Sequence, residues 1–378
     1  MTGNNGYSNP QLYLTGISYD TAPLPVRERL SISKARINEA LSALNCYVDK
    51  GVILATCNRT EVYTVGDGIA TESSLRDFMC RWSGLPREQL APHLHTAHGR
   101  EAVRHLTETA AGLRSMIVGE WEIQGQVRQA FQSAEAAGMV DVPLRKMFQH
   151  AVRVGRRVRD ETDISKSALS VSSVAVSLAT KAVGDIADCR VVLIGAGQAG
   201  KLVARAFSQR GVADMAIINR SLDCAQELAG SVGGRAVELS KLRVELEAAD
   251  IVISCTGAPH AVVDYDIVAS LMRARPSRPI VIVDIAVPRD VDAKVKDIDG
   301  VHLYDIDDFM NVSKTHRKAR EREIAKAMVI IDEEMARFAE QWHAMGVKPL
   351  VDALMQRAED IRRRQLQLTL KKLPPLSD

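Results

Sequence analysis

The stretch "ILATCNRTEVY", from Ile53 to Tyr63, runs an apolar segment into a cysteine followed by an amide, a guanidinium and a carboxylate. Cys57 is the nucleophile candidate in this stretch. The thiolate, not the thiol, attacks, and a cation such as Arg59 beside the sulfur favours the thiolate. Thr56, Asn58 and Arg59 are polar groups suited to holding an acyl substrate against it. Proton transfer needs a histidine within reach, and His105 and His98 are the candidates. A thiolate attacking an activated acyl group gives a thioester. Hydride reduction of a thioester gives a thiohemiacetal that collapses to an aldehyde. That chemistry needs no metal, and no metal-ligand spacing is present.

The same chain offers a source of hydride. Gly195, Ala196, Gly197, Gln198, Ala199 and Gly200 form "GAGQAG", a G-x-G-x-x-G placed between the apolar strand "CRVVLI" and a helix. In that context the first glycine permits the turn, the second admits a pyrophosphate and the third lets helix pack on strand. The next strand ends in Asn219, Arg220 and Ser221, where readers of NAD carry a carboxylate for the ribose hydroxyl. A guanidinium and two neutral polar groups suit a 2′-phosphate, so the cofactor is expected to be NADPH. Cys255, in "SCTGAP", reads as a small buried residue.

The elements that would carry these residues divide the chain into three. Short strands and helices over residues 1–160 predict an α+β catalytic domain. Apolar strands alternating with helices over residues 161–310 predict a Rossmann-type, doubly wound parallel sheet, making the fold class α/β. Residues 311–378 are charge-rich and helical. There Ile324, Met328, Ile331, Met335, Phe338, Trp342 and Met345 step by fours and threes, a heptad seam that predicts a dimer arm. Gly346 and Pro349 are expected to break it before a second helix, Leu350 to Leu370. The basic helix containing Arg145, Lys146, Arg153, Arg156, Arg157 and Arg159 is either a solvated face or a patch for a polyanion.

Composition narrows the function classes. With 378 residues and a formal charge of +2, the chain shows no general affinity for nucleic acid or membrane. The six cysteines are scattered without a disulfide or zinc framework, which fits reduced thiols and a cytoplasmic location. The first residues show neither signal nor transit peptide.

Taken together, "GISYDTAPLPVRERL", "TCNRTEVY", "AVRHL", "GLRSMIVGEWEIQGQVRQAF", "GAGQAG", "DIAVPRDVD" and "LYDIDDF" resemble the glutamyl-tRNA reductase family in content and order. The resemblance implies NADPH-dependent reduction of glutamyl-tRNA to glutamate-1-semialdehyde with release of tRNA, the first step of tRNA-dependent tetrapyrrole synthesis. It implies that Cys57 carries the thioester and that His105 matters for activity. It also implies that Thr56, Asn58, Arg59, Ser115, Glu120, Trp121, Glu122 and Gln126 bind substrate. A homodimer through the C-terminal helices is implied, as is handover of the semialdehyde to a downstream aminomutase. The chain departs from the family pattern at Tyr19 and Asp20 (usually His followed by Lys or Arg), Arg114 (usually Asp) and Trp121-Glu122 (usually Pro-Gln). Its helical region reads as truncated relative to the family. The alternatives are a non-catalytic relative that binds tRNA or a pathway partner, and another NADP-dependent dehydrogenase.

Overall fold

The structure is a computed structural model that describes residues 11–66, 68–165, 170–310 and 320–370, with side chains in the last segment described to Trp342 and from Met355 to Thr369. The start of the helical region and the Met345 position on the seam therefore lie outside the described side chains.

Residues whose side chains alternate between two buried faces build a first, antiparallel sheet. Its strands are β1 (Gln11–Ser18), β2 (Gly51–Ala55), β3 (Arg59–Gly66) and β4 (His95–His98) in the order β2-β3-β1-β4. The helices α1 (Leu24–Leu30), α2 (Ile37–Leu44), α3 (Gly68–Ser83), α4 (Arg87–Leu90), α5 (Gly99–Ala110), α6 (Glu122–Ala136) and α7 (Val142–Glu161) surround it. Leu12, Leu14, Ile53, Val62 and Tyr63 of the sheet share one core with Leu106, Val127 and Phe148 of the helices. The short β4 is more than the sequence reading contained, because "HTAH" carries no apolar alternation.

The second unit begins with α8 (Val171–Val183), started by a Ser170 capping box. Its six-stranded sheet has the order β10-β9-β8-β5-β6-β7, and every pairing in it is parallel. The strands are β5 (Arg190–Ile194), β6 (Asp214–Asn219), β7 (Arg235–Glu238), β8 (Ile251–Ser254), β9 (Ile280–Asp284) and β10 (Val301–Tyr304), with α9 (Gln198–Ser208), α10 (Leu222–Val232), α11 (Leu242–Ala248) and α12 (Tyr265–Ala274) as crossovers. β5, β8 and β9 are apolar except for one end residue each, Arg190, Ser254 and Asp284, because helices cover both faces. The strand order reverses between β5 and β8, which opens a crevice at their carboxyl ends.

The last helix, α13 (Glu321–Leu370), is unbroken over 50 residues. This corrects the expected break at Gly346 and Pro349. A proline inside a helix removes one backbone hydrogen bond and strains the turn before it, and here it does not end the helix. The heptad seam also has a different use over its first half. Ile331, Met335 and Phe338 are buried in the core of the first domain, against α5 and α7. Phe338 lies over His150 with ring centroids 4.6 Å apart. Apart from Val329, the exposed apolar side chains described on this helix lie beyond this, at Met355, Ile361, Leu366 and Leu368. A 3.5-residue period identifies a helix–helix seam but not whose helix fills it.

The basic face of α7 is likewise drawn into the fold. Arg153 and Arg157 pair with Glu334 of α13 at 3.2 and 3.0 Å, Arg145 pairs with Glu135, and Arg159 donates to Gln124. Four of the six basic side chains are thus engaged within the fold, while Lys146 and Arg156 are exposed.

Candidate active site

Cys57 sits not on a strand but in the turn between β2 and β3, where Ala55 still pairs with Thr60. Thr56 N–H donates to Arg59 O at 2.8 Å, and Thr56 Oγ1 accepts from the backbone N–H groups of Asn58 and Arg59 at 3.1 and 3.2 Å. A threonine hydroxyl satisfying two turn amides is a recurrent way to fix a tight loop. It places Thr56, Cys57 and Asn58 together at the sheet end.

Around this turn the sequence-derived substrate residues converge. Tyr19 N–H donates to Asn58 O at 2.8 Å, and its hydroxyl donates to Ser115 O at 3.3 Å. Tyr19 thus ties the loop after α5 to the cysteine turn. Arg59 adds a second tie, donating Nη2 to Arg114 O. Two polar atoms in this assembly, Asn58 Oδ1 and Ser115 Oγ, are buried without a hydrogen-bond partner. Native proteins pair such atoms as a rule. The Arg114 departure turns outward, its Nε 2.7 Å from Glu108 Oε2, while Asp20 is exposed.

Arg59 does not activate the thiol. Its Nη1 forms a buried salt bridge with Glu61 Oε1 at 2.7 Å and donates to Thr109 Oγ1 at 3.3 Å. Glu61 also takes Tyr63 Oη at 2.6 Å and His105 Nε2 at 2.8 Å, and His95 Nε2 lies 3.5 Å away. Burial alone would raise the Glu61 carboxyl, but Arg59 and His105 hold it well below the usual range. Burial lowers His105, against the opposing pull of Glu61, so its ring is neutral near pH 7. His105 therefore belongs to the Glu61 network. His98 is exposed on β4, beside Tyr13.

The sulfur itself is in a thiol-favouring environment. Burial, followed by the Glu120 and Glu122 carboxylates, pushes Cys57 up to about 12, with Arg27 opposing. This corrects the expectation that Arg59 lowers it. The nearby cation is Arg27 of α1, whose Nη1 donates to Cys57 O at 3.2 Å. Arg27 Nη2 pairs with Asp307 of the second unit. Next to it, Glu28 receives Arg289 N, Nε and Nη2, each at 2.8 Å. Helix α1 thus joins the cysteine turn to the nucleotide domain. Glu120 is itself displaced to about 7 by burial and by Glu122.

Sequence reasoning missed Arg27, Glu61 and His95. For Glu61 a signal existed: Arg59, Glu61 and Tyr63 alternate along one strand and must share a face. Arg27 and His95 meet their partners only through the tertiary fold.

The glycine turn lies at the sheet's switch point, over a cavity of about 760 Å³. Gly195 has a φ of +109°, and a Cβ on Gly200 would lie 2.1 Å from Gly195 O, so both positions demand glycine. At Gly197 nothing lies within 4 Å of where a Cβ would be, which leaves room for a pyrophosphate. Asn219, Arg220, Ser221, Thr256 and His260 line the cavity, and no carboxylate among the described residues does. Asn219 Oδ1 accepts from Ala196 N–H at 3.3 Å, and Ser221 caps α10. Cys255 Sγ lies 3.4 Å from Ile194 O and Gly195 O, beneath the turn, where burial keeps it a thiol. Asp290 organises the loop after β8, accepting from Ser254 Oγ and Thr256 N–H at 2.7 Å each.

A parallel doubly wound sheet with this crevice, docked against a domain that presents a cysteine, defines a nicotinamide-dependent oxidoreductase. Residues 15–162 match the family described as "Glutamyl-tRNAGlu reductase, N-terminal domain", and residues 326–378 match its dimerisation domain. The chain belongs to the glutamyl-tRNA reductase family. Residues 177–312 match "Shikimate / quinate 5-dehydrogenase", a likeness confined to the nucleotide-binding unit. Among similar proteins, glutamyl-tRNA reductase of Bacillus pumilus is 36% identical, over 97% of this chain and 81% of the relative. That of Geobacter sulfurreducens is 38% identical, over 96% and 85%. A solved structure of glutamyl-tRNA reductase from Methanopyrus kandleri is 34% identical with a TM-score of 0.52, covering 96% of this chain and 88% of that one. No helix among the described residues is long and apolar enough to cross a membrane.

Proposed function

We propose that the chain reduces glutamyl-tRNA to glutamate-1-semialdehyde with NADPH, through a thioester on Cys57. The observation that carries this reading is the pair of buried, unpartnered atoms, Asn58 Oδ1 and Ser115 Oγ, joined to the cysteine turn by Tyr19. They await a polar ligand, and a glutamyl group supplies an ammonium and a carboxylate. Thr56 and Asn58 hold the acyl group at the sulfur. Arg59, although balanced by Glu61, orients the turn and has donor capacity left for the substrate carboxylate. Glu120 takes the ammonium, while Trp121, Glu122 and Gln126 line the neighbouring part of the substrate site.

Sulfur attack forms the C–S bond and breaks the ester bond to the tRNA 3′-terminal ribose, whose oxygen takes the proton. NADPH held at the Gly195 turn would supply a hydride to the thioester carbon, the C–S bond then breaking to leave the aldehyde and restore the Cys57 thiol. The chain's own part in that step is to hold the dinucleotide at the Gly195 turn and to dock its domain on α1 through Arg27–Asp307 and Glu28–Arg289. The 2′-phosphate is read by Arg220 and Ser221. The exposed apolar end of α13 pairs with that of a second copy, and the aldehyde passes to the aminomutase that consumes it.

The test is oxidation of NADPH by the purified chain with glutamyl-tRNA against uncharged tRNA. Turnover should require the charged form. Arg220→Ser should raise KM for NADPH by roughly 10- to 100-fold, as expected for losing one charge-assisted contact, with KM for NADH little changed. Turnover without tRNA would point to an ordinary dehydrogenase.

The pH dependence follows from Glu120. Its carboxyl is raised to about 7, so the anion that holds an ammonium exists above that pH and is lost below it. KM for glutamyl-tRNA should climb toward tenfold per unit as pH falls below about 7. Glu120→Gln should raise KM throughout and remove that limb. An unchanged limb in the variant would assign it to another group.

A further inference from the structure

A second cavity, of about 570 Å³, opens beside the cysteine turn. Its size is within the range of pockets that take a small organic ligand. Ala55 of β2, two residues before Cys57, forms part of its wall, and Gln198 of the nucleotide domain closes another side. Three observations mark it as a binding site rather than a packing gap. Trp121 stands in its lining with 51% of its surface exposed. Arg159 lines it with Nε buried and unpartnered. Lys34 and Arg128 line it as exposed cations. An aromatic platform with cations beside it suits a planar base attached to a phosphate.

The reading of Cys57 as acyl acceptor, on which this inference rests, fixes what must lie next to the sulfur. The group displaced is the ribose of a nucleoside, and it has to sit within bonding reach of the thiol's target carbon. We infer that this cavity is the subsite for the 3′-terminal adenosine of the tRNA. The Trp121 indole stacks on the adenine, Lys34 and Arg128 meet the phosphate before it, and Glu122 accepts from the ribose hydroxyl or the adenine amino group. Trp121 stands where the family pattern quoted above has proline, so the stacking partner is a property of this chain.

The experiment compares two uncharged acceptor-stem minihelices, one ending in CCA and one in CC, binding to the full chain at a single salt concentration. The wild type should favour the CCA end by roughly 5- to 100-fold, the range for stacking one base on an aromatic side chain. Trp121→Ala should erase that preference, and Trp121→Phe should keep most of it. Circular dichroism and NADPH affinity establish that the variants are folded. Equal affinity of the wild type for both ends, or a preference that persists in Trp121→Ala, overturns the inference. No reduction takes place in this measurement, so absence of the Cys57 thioester would count against the proposed reaction and not against the subsite.

Discussion

Replacing Cys57 by serine is expected to lower NADPH-dependent formation of semialdehyde from glutamyl-tRNA by a factor on the order of 10⁴ or more, the scale of losing a covalent nucleophile. The structure makes this more than a statement about sulfur. In the substrate-free site the thiol is pushed up to about 12 by burial and by the Glu120 and Glu122 carboxylates, so little thiolate is present near neutral pH. A glutamyl ammonium placed beside Glu120 cancels part of the charge that holds the proton on. Substrate binding is therefore expected to shift Cys57 toward the thiolate. A serine at the same place, with a far weaker acid, gains nothing useful from that change. Two readouts check the expectation: steady-state turnover, and protein-bound glutamate trapped when NADPH is withheld. Both should vanish in Cys57→Ser while binding affinity for glutamyl-tRNA changes little. Full turnover by the variant would remove Cys57 from the mechanism.

Much of the framework could be read from the chain because local rules and tertiary structure agree there. The apolar strand, glycine turn and helix of "CRVVLIGAGQAG" form a Rossmann start wherever the surrounding strands support it, and here β5 and α9 fall as the pattern predicts. The short β7 and β4 were not legible, since four-residue edge strands with polar side chains carry little periodic signal. The heptad seam was legible as a seam, but its partner was not. Ile331 and Phe338 fill the hole above α5 and α7, and no local pattern distinguishes a neighbouring domain from a second copy.

The candidate site divides in the same way. Thr56, Cys57 and Asn58 are adjacent in sequence and fold into one turn, so their association was readable. The charges that bear on Cys57 come from Arg27 on α1 and from Glu120 and Glu122 at the start of α6, all distant in sequence from the cysteine. Sequence adjacency pointed to Arg59 as the activating cation, and geometry reassigns it to Glu61. The departures from the family pattern also become intelligible as placements. Tyr19 bonds the Ser115 carbonyl, Arg114 faces Glu108, and Trp121 borders an open cavity. Glu122, the other half of the Trp121 departure, is the one that adds a charge near the sulfur, and it acts with Glu120 to keep Cys57 a thiol.

The largest expected effect on stability is at Arg59. The Arg59–Glu61 pair is almost fully enclosed, with side chains 2% and 0% exposed, and Tyr63 and His105 bond the same carboxylate. Arg59→Met fills similar volume but strands the Glu61 charge, a change that typically costs about 3–5 kcal/mol. A urea titration should show it as a lower midpoint at unchanged slope. The double variant Arg59→Met, Glu61→Leu should recover part of the loss, because removing both charges removes the stranded one. The acid response distinguishes this account from simple loss of packing. The native Glu61 carboxyl is held well below its unfolded value, so its stabilisation is complete above the unfolded pKa and disappears as pH falls through the folded one. Neutral His105, depressed by burial, contributes with the same sign, starting nearer pH 6. The wild type should therefore lose stability steadily as pH falls from about 6. The double variant should lose less below about pH 4.5, since Glu61 no longer titrates there, while the burial-depressed His105 keeps its own contribution at higher pH. An equal acid slope in both proteins would show that the Glu61 network is not what the first domain relies on.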